Sequence, residues 1–190
     1  MKKLFSMLLT LVVLLSTTTS VEALESKTLE RHNGASAYAE WYETQDNATT
    51  YTYLSVIETK DGTDIYVSTY TYGPDYWSEK WGYMFTKDNV FKMDKKLNSA
   101  SLSEVEIDVN NRYTGETDTL AVKANWTGVG DISGGSSSYS SRNGDYVWKS
   151  SDSSTSREAS ATASIDGLSL ETSSSASLSN FKSAYMSMEK

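Results

Sequence analysis

Apolar and polar side chains alternate along most of the chain in short runs, and at three places such runs flank an Asp-Gly or Asn-Gly pair. A two-residue loop of that kind is the strongest short-range hairpin signal, because both residues accept the positive φ angles of a tight turn. The first lies within residues 49–72, TTYTYLSVIETKDGTDIYVSTYTY. A type I′ turn at Asp61-Gly62 sets Lys60 opposite Thr63, Ile57 opposite Tyr66, Val56 opposite Val67, Leu54 opposite Thr69, Tyr53 opposite Tyr70 and Tyr51 opposite Tyr72. Since strand side chains alternate faces, Ile57, Tyr66, Tyr53, Tyr70, Tyr51 and Tyr72 share one face. Val56, Val67, Leu54, Thr69, Thr52 and Thr71 share the other. One face is a tyrosine ladder, the other mainly aliphatic.

The remaining runs follow the same logic. Residues 37–43 put Ala37, Ala39 and Trp41 on one face and Tyr38, Glu40 and Tyr42 on the other. Gly73 and Pro74 end the next strand, since Pro lacks the ladder's N–H, and residues 73–83 read as a loop rich in rings, with Trp77 and Trp81 in it. Residues 83–91 read as a strand, a turn at 87–89 and a short return, and residues 92–101 as a loop or one helical turn. Residues 102–109 direct Val105, Ile107 and Val109 inward and Glu104, Glu106 and Asp108 outward; residues 119–126 direct Leu120, Val122, Ala124 and Trp126 inward. These two give the clearest core signal.

Residues 133–156 have the composition of a Ser/Gly linker, yet pairing about Asn143-Gly144 sets Arg142 against Asp145 and Tyr139 against Trp148, with Tyr146 on that face. We read a polar hairpin rather than a linker. Asp166-Gly167 sets Ile165 opposite Leu168, Ala163 opposite Leu170 and Ala161 opposite Thr172, and residues 178–188 supply a last strand whose methionines read as core filling. About ten short strands with tight turns and almost no helical period predict an all-β, antiparallel, hairpin-rich β-sandwich, with a closed soluble β-barrel as the alternative. A lipid-facing barrel needs a continuously apolar outer band, whereas the later strands carry Ser, Thr, Glu or Lys along one face.

The start of the chain adds a compartment. Lys2 and Lys3, the apolar residues 4–15, a polar stretch and Val21-Glu22-Ala23 match the parts of a secretory signal peptide. The expected organisation is a signal peptide at 1–23, a polar N-terminal arm at 24–36, either frayed or a short helix, and a single all-β domain at 37–190. The product is expected to be secreted, without direct membrane insertion after signal removal. The chain has no cysteine, so its stability rests on the core. The net charge of −8, with Lys95-Lys96 the densest basic pair, disfavours nucleic acid and anionic lipid.

Candidate chemistry is sparse. No motif of a Ser hydrolase, zinc protease, P-loop or dinucleotide site is present in the sequence. The single histidine, His32, sits beside Asn33-Gly34 and reads as a solvated turn residue. Glu104, Glu106 and Asp108 read as a solvated strand face rather than a calcium site. Asn47 and Asn125 open N-x-Thr sequons, relevant only in a glycosylating host. No cofactor or metal is expected. Asp75 and Glu79, set among Tyr76, Trp77 and Trp81, are the carboxylate pair a secreted hydrolase would use. The first expectation is a non-catalytic binding or interaction domain whose partner is a polysaccharide or a cell-surface protein. The candidate binding residues are Tyr51, Tyr53, Tyr70, Tyr72, Trp77 and Trp81, because amphipathic rings supply contact area at low entropic cost. Burial of the tyrosine face under a second layer is the expected structural role; exposure would make it a patch larger than monomers usually leave open. A structural surface or matrix protein is a third class.

Overall fold

The computed structural model describes residues 26–45, 47–74 and 76–189; the signal-peptide reading and Asp75 lie outside them. Ten strands make up one antiparallel sheet: β1 (Ser26–Gln45), β2 (Ala48–Thr59), β3 (Gly62–Tyr72), β4 (Trp77–Thr86), β5 (Phe91–Met93), β6 (Ser99–Asn111), β7 (Thr117–Asn143), β8 (Tyr146–Ile165), β9 (Leu168–Leu170) and β10 (Ser175–Glu189). No helix occurs among the described residues. The strand order is β10-β1-β2-β3-β4-β6-β7-β8-β9, with β5 on β6, and β10 also pairs β8. The ladder therefore returns on itself. The all-β, antiparallel, hairpin-joined class is the one the alternation predicts, and of its two architectures the closed ladder is the one named as the alternative.

The described residues fall into two compact units. The larger, Arg31–Ser138 with Ser151–Ala184, holds the core. Ala37, Ala39 and Trp41 of β1 meet Leu54 and Val56 of β2, Ile65 and Val67 of β3, Ile107 and Val109 of β6, Val122, Ala124 and Trp126 of β7, and Leu178 of β10. Each strand contributes every second residue, as pleating requires, and each buried aliphatic side chain is worth about 1.5–3 kcal/mol relative to exposure. The inward faces of residues 102–109 and 119–126 match the sequence reading residue for residue. The smaller unit comprises Tyr139–Ser150 and the described parts of residues 1–30 and 185–190. In it the rings of Tyr139 and Trp148 meet at 4.9 Å, and Trp148 meets Tyr185 at 5.6 Å.

Several expectations are corrected. β1 begins at Ser26, so residues 26–36 are strand, and His32 lies within that strand rather than in a turn. The first hairpin pairs Thr59 with Gly62, so its loop is Lys60-Asp61 and the register is displaced by two residues: Tyr51 faces Tyr70 and Leu54 faces Val67. The Thr59 hydroxyl accepts from the Asp61 N–H at 3.2 Å and holds this turn. The ring-rich loop closes by residue 76, and Trp77 and Trp81 stand on β4. The second hairpin turns at Gly144-Asp145 rather than at Asn143-Gly144. Within residues 92–101 the loop reading holds for 94–98, with Leu97 buried at φ 57°, while the flanks belong to β5 and β6. Met186 and Met188 are half-buried rather than core.

Candidate functional site

The inner positions of β1–β4 are taken by small or aliphatic residues and by Trp41, so their rings at the alternate positions face out. The outward positions carry Tyr38, Glu40 and Tyr42 on β1, Tyr51 and Tyr53 on β2, and Tyr66, Tyr70 and Tyr72 on β3. On β4 they carry Trp77, Glu79, Trp81, Tyr83 and Phe85. Registry lines these up: Tyr42 faces Tyr51, Tyr51 faces Tyr70, Tyr72 faces Trp77 and Tyr66 faces Tyr83. β-branched and aromatic residues suit a pleated surface, and cross-strand aromatic pairs stabilise it.

Eight of the eleven rings of this belt touch one another, in two rows. Tyr42 meets Tyr51 edge-on with centroids 4.8 Å apart, Tyr51 stacks on Tyr72 at 6.0 Å, and Tyr70 meets Trp77 edge-on at 5.7 Å. A second row runs from Tyr38 to Tyr53 at 5.3 Å and on to Tyr66 at 5.7 Å. The expected burial of the tyrosine face is not observed. Trp77 is 60% exposed, Tyr83 58% and Tyr51 44%. Tyr53, Tyr70 and Tyr72 are half-buried, each packed against neighbouring rings of the belt.

Four phenols of the belt, those of Tyr38, Tyr51, Tyr70 and Tyr83, are held protonated above the ordinary tyrosine range. Hydrogen bonding to Tyr72 pushes Tyr51 up to about 12. Loss of hydration raises Tyr70, with Tyr113 and Glu79 adding to the effect. Tyr83 donates to the Asp64 carboxylate and is raised for that reason. Tyr42 moves the other way, because Thr44 and Thr49 hydrogen-bond its oxygen. The belt thus presents neutral hydroxyls at ring edges and apolar ring faces to solvent.

All six rings named from the sequence belong to this one surface. Glu79 stands in it opposite Tyr70, with Arg112 Nη1 at 3.4 Å from its Oε2; its proposed carboxylate partner, Asp75, lies outside the described residues. Tyr66, Tyr83 and Phe85 extend the belt without having been named as binding residues: the alternation puts Tyr66 on the tyrosine face of the hairpin, and Tyr83 and Phe85 in a strand at 83–91 whose facing it does not assign. Tyr113, on the turn after β6, is 55% exposed and sits near enough to Tyr70 to affect its ionisation; no local pattern signals that proximity. The outer positions of β6 and β7 differ in kind: Glu104, Glu106, Asp108, Lys123 and Asn125 are exposed there. No group of three or more metal-ligating side chains gathers among the described residues. Comparison with family models, with curated proteins and with solved structures finds no match for this chain.

Proposed function

We propose that this chain is a non-catalytic, secreted binding module that holds a polysaccharide against the aromatic belt of β1–β4. The observation that carries the reading is the exposure of a contiguous ring surface over a core that is already filled. Leu54, Val56, Ile65 and Val67 are fully buried beneath the belt, so its tyrosines and tryptophans are not needed to close the interior. Large apolar faces left open on a surface mark interaction sites. Sugar rings offer C–H faces to such planes and hydroxyls to the phenols at their edges.

Size and charge narrow the ligand. The belt crosses three interstrand steps of about 4.8 Å, roughly 14 Å in all, which suits an extended chain of sugars better than a single one. It carries Glu40, Glu79 and Asp64 among its rings, which favours a neutral glycan over an acidic one. Stacking on neutral rings depends little on salt.

The test is retention on insoluble polysaccharides, with tryptophan fluorescence titration against their soluble fragments, for the protein and its Trp77→Ala and Trp81→Ala variants. Retention that persists at high salt, a saturable fluorescence change, and loss of both in the variants with no release of reducing ends support the reading. Failure to bind any neutral glycan while the variants remain folded overturns it and directs the search to protein partners.

A further inference from the structure

A cavity of about 730 Å³ in the larger unit is built quite differently from the belt. Its walls come from β1, β7, β8 and β10, and alternation shows which of their side chains share the core face. On β1 the inward series Trp41, Ala39, Ala37, Ala35 continues through Asn33 to Arg31. On β10 the series Ala176, Leu178 continues to Lys182, and on β8 the series Ile165, Ala163, Ala161 continues to Ser153 and Ser151. On β7 the series from Leu120 to Trp126 continues to Ser136. The hydroxyls of Ser133 and Ser156 lie 3.0 Å apart, so these two residues share one face of β7 and β8.

Along these strands the face that is buried and aliphatic in the core therefore gives way to Arg31, Asn33, Lys182 and serines, which are exposed to solvent and line the cavity. Small serine side chains leave the space that larger ones occupy nearer the core. Arg31 and Lys182 give this face two permanent positive charges in a chain of net charge −8. Asp152 and His32 also border the cavity, from the opposite parity. A guanidinium fork pairs with a carboxylate through two parallel hydrogen bonds, and clustered hydroxyls and an amide match a ligand that carries several oxygens. Cavities of roughly 300–1,000 Å³ hold small organic ligands.

We propose that this cavity is a second binding site, separate from the aromatic belt, that takes a small carboxylated sugar. Its carboxylate sits between Arg31 and Lys182 and its hydroxyls meet Asn33, Ser136, Ser151 and Ser153. The proposal stands whether or not the belt binds glycan.

The test is an NMR titration of the ¹⁵N-labelled protein with D-glucuronate, with D-glucose as the uncharged counterpart and inorganic sulfate as the bare oxyanion. Saturable shifts with glucuronate, centred on residues 31–33, 136, 151–153 and 182, are expected. Arg31→Gln and Lys182→Gln are each expected to weaken them by at least about tenfold, the scale of a lost charge-assisted hydrogen bond. Ser153→Leu, which fills the cavity without altering charge, is expected to abolish them while the spectrum elsewhere stays that of the folded protein. Equal binding of glucose, sulfate binding as tight as glucuronate, absence of saturable shifts, or wild-type titration of the Arg31→Gln and Ser153→Leu variants overturns the proposal.

Discussion

The indole Nε1 of Trp126 donates to the main-chain carbonyl of Tyr38 at 3.0 Å, joining β7 to β1 through the core, 88 residues apart in sequence. Trp41 is its counterpart without a bond: its Nε1 is buried and has no partner among the described residues. Both indoles are almost fully buried.

That difference separates two otherwise similar substitutions. Trp126→Phe removes the donor, leaves the Tyr38 carbonyl without it, and opens space beside Phe91, whose ring lies 6.3 Å away centroid to centroid. Leaving a buried polar group unpaired costs about 1–3 kcal/mol, and the lost packing adds to it. Trp41→Phe loses packing only and removes a desolvated N–H. Urea unfolding of the two variants is expected to show Trp126→Phe as the more destabilised. Equal midpoints would mean that the hydrogen bond contributes nothing net.

What was legible in the sequence divides along physical lines. The hairpin at Asp166-Gly167 pairs Ile165 with Leu168 and Ala163 with Leu170, as read, because both turn residues take positive φ, 51° and 79°. At the first hairpin the faces were right and the register was not. A displacement of two residues preserves every facing, so the alternation could not reveal it. Which face of that hairpin is buried was also hidden. Alternation distinguishes two faces but does not choose between them; the choice follows from volume. The interior of a closed sheet of about eight strands is just wide enough to be filled by side chains, and Leu54, Val56, Ile65 and Val67 fill it beside Ala37 and Ala39. The tyrosines, larger and carrying hydroxyls, are left outside. Trp77 and Trp81 were placed in a loop because Pro74 stops a strand, but a single proline halts pairing for only a few residues, and β4 resumes at Trp77. The serine-walled cavity was invisible because its four strands meet only through the closed ladder.

The Tyr51–Tyr72 contact makes the belt sensitive to alkali. Tyr51 loses its proton only at about 12, chiefly because of its hydrogen bond to Tyr72. An ordinary tyrosine ionises near 10. Between those values the folded chain keeps a proton that the unfolded chain has released, so stability is fully present below about pH 10 and falls as pH rises toward 12. Ultraviolet titration of phenolate absorbance is expected to show a late-ionising class. Tyr72→Phe removes the leading cause, so Tyr51 is expected to move down toward the ordinary value. An unchanged late class in that variant would place its origin elsewhere in the belt.

Gly82 fixes the approach of β4 to β6 and with it the placement of Trp81 and Tyr83, its neighbours in the belt. It is buried and faces Val109 across the ladder. A Cβ added there would lie 2.5 Å from the Asp108 carbonyl oxygen, 2.7 Å from Val109 Cγ1 and 2.9 Å from Ile107 Cγ2. The first of these is backbone held in the β6–β7 ladder, so it has little room to yield. Gly82→Ala is therefore expected to cost about 1–3 kcal/mol, the range for overpacking a filled core. Gly135 serves as the control, because a Cβ there meets nothing within 4 Å, and Gly135→Ala is expected to stay within about 0.5 kcal/mol of the parent. Thermal unfolding of the pair reads the difference. If β4 is displaced in Gly82→Ala, the fluorescence of Trp81 shifts as well, since moving the strand moves the ring. Parent-like stability with parent-like fluorescence would mean that β4 and β6 are not in close contact at this point.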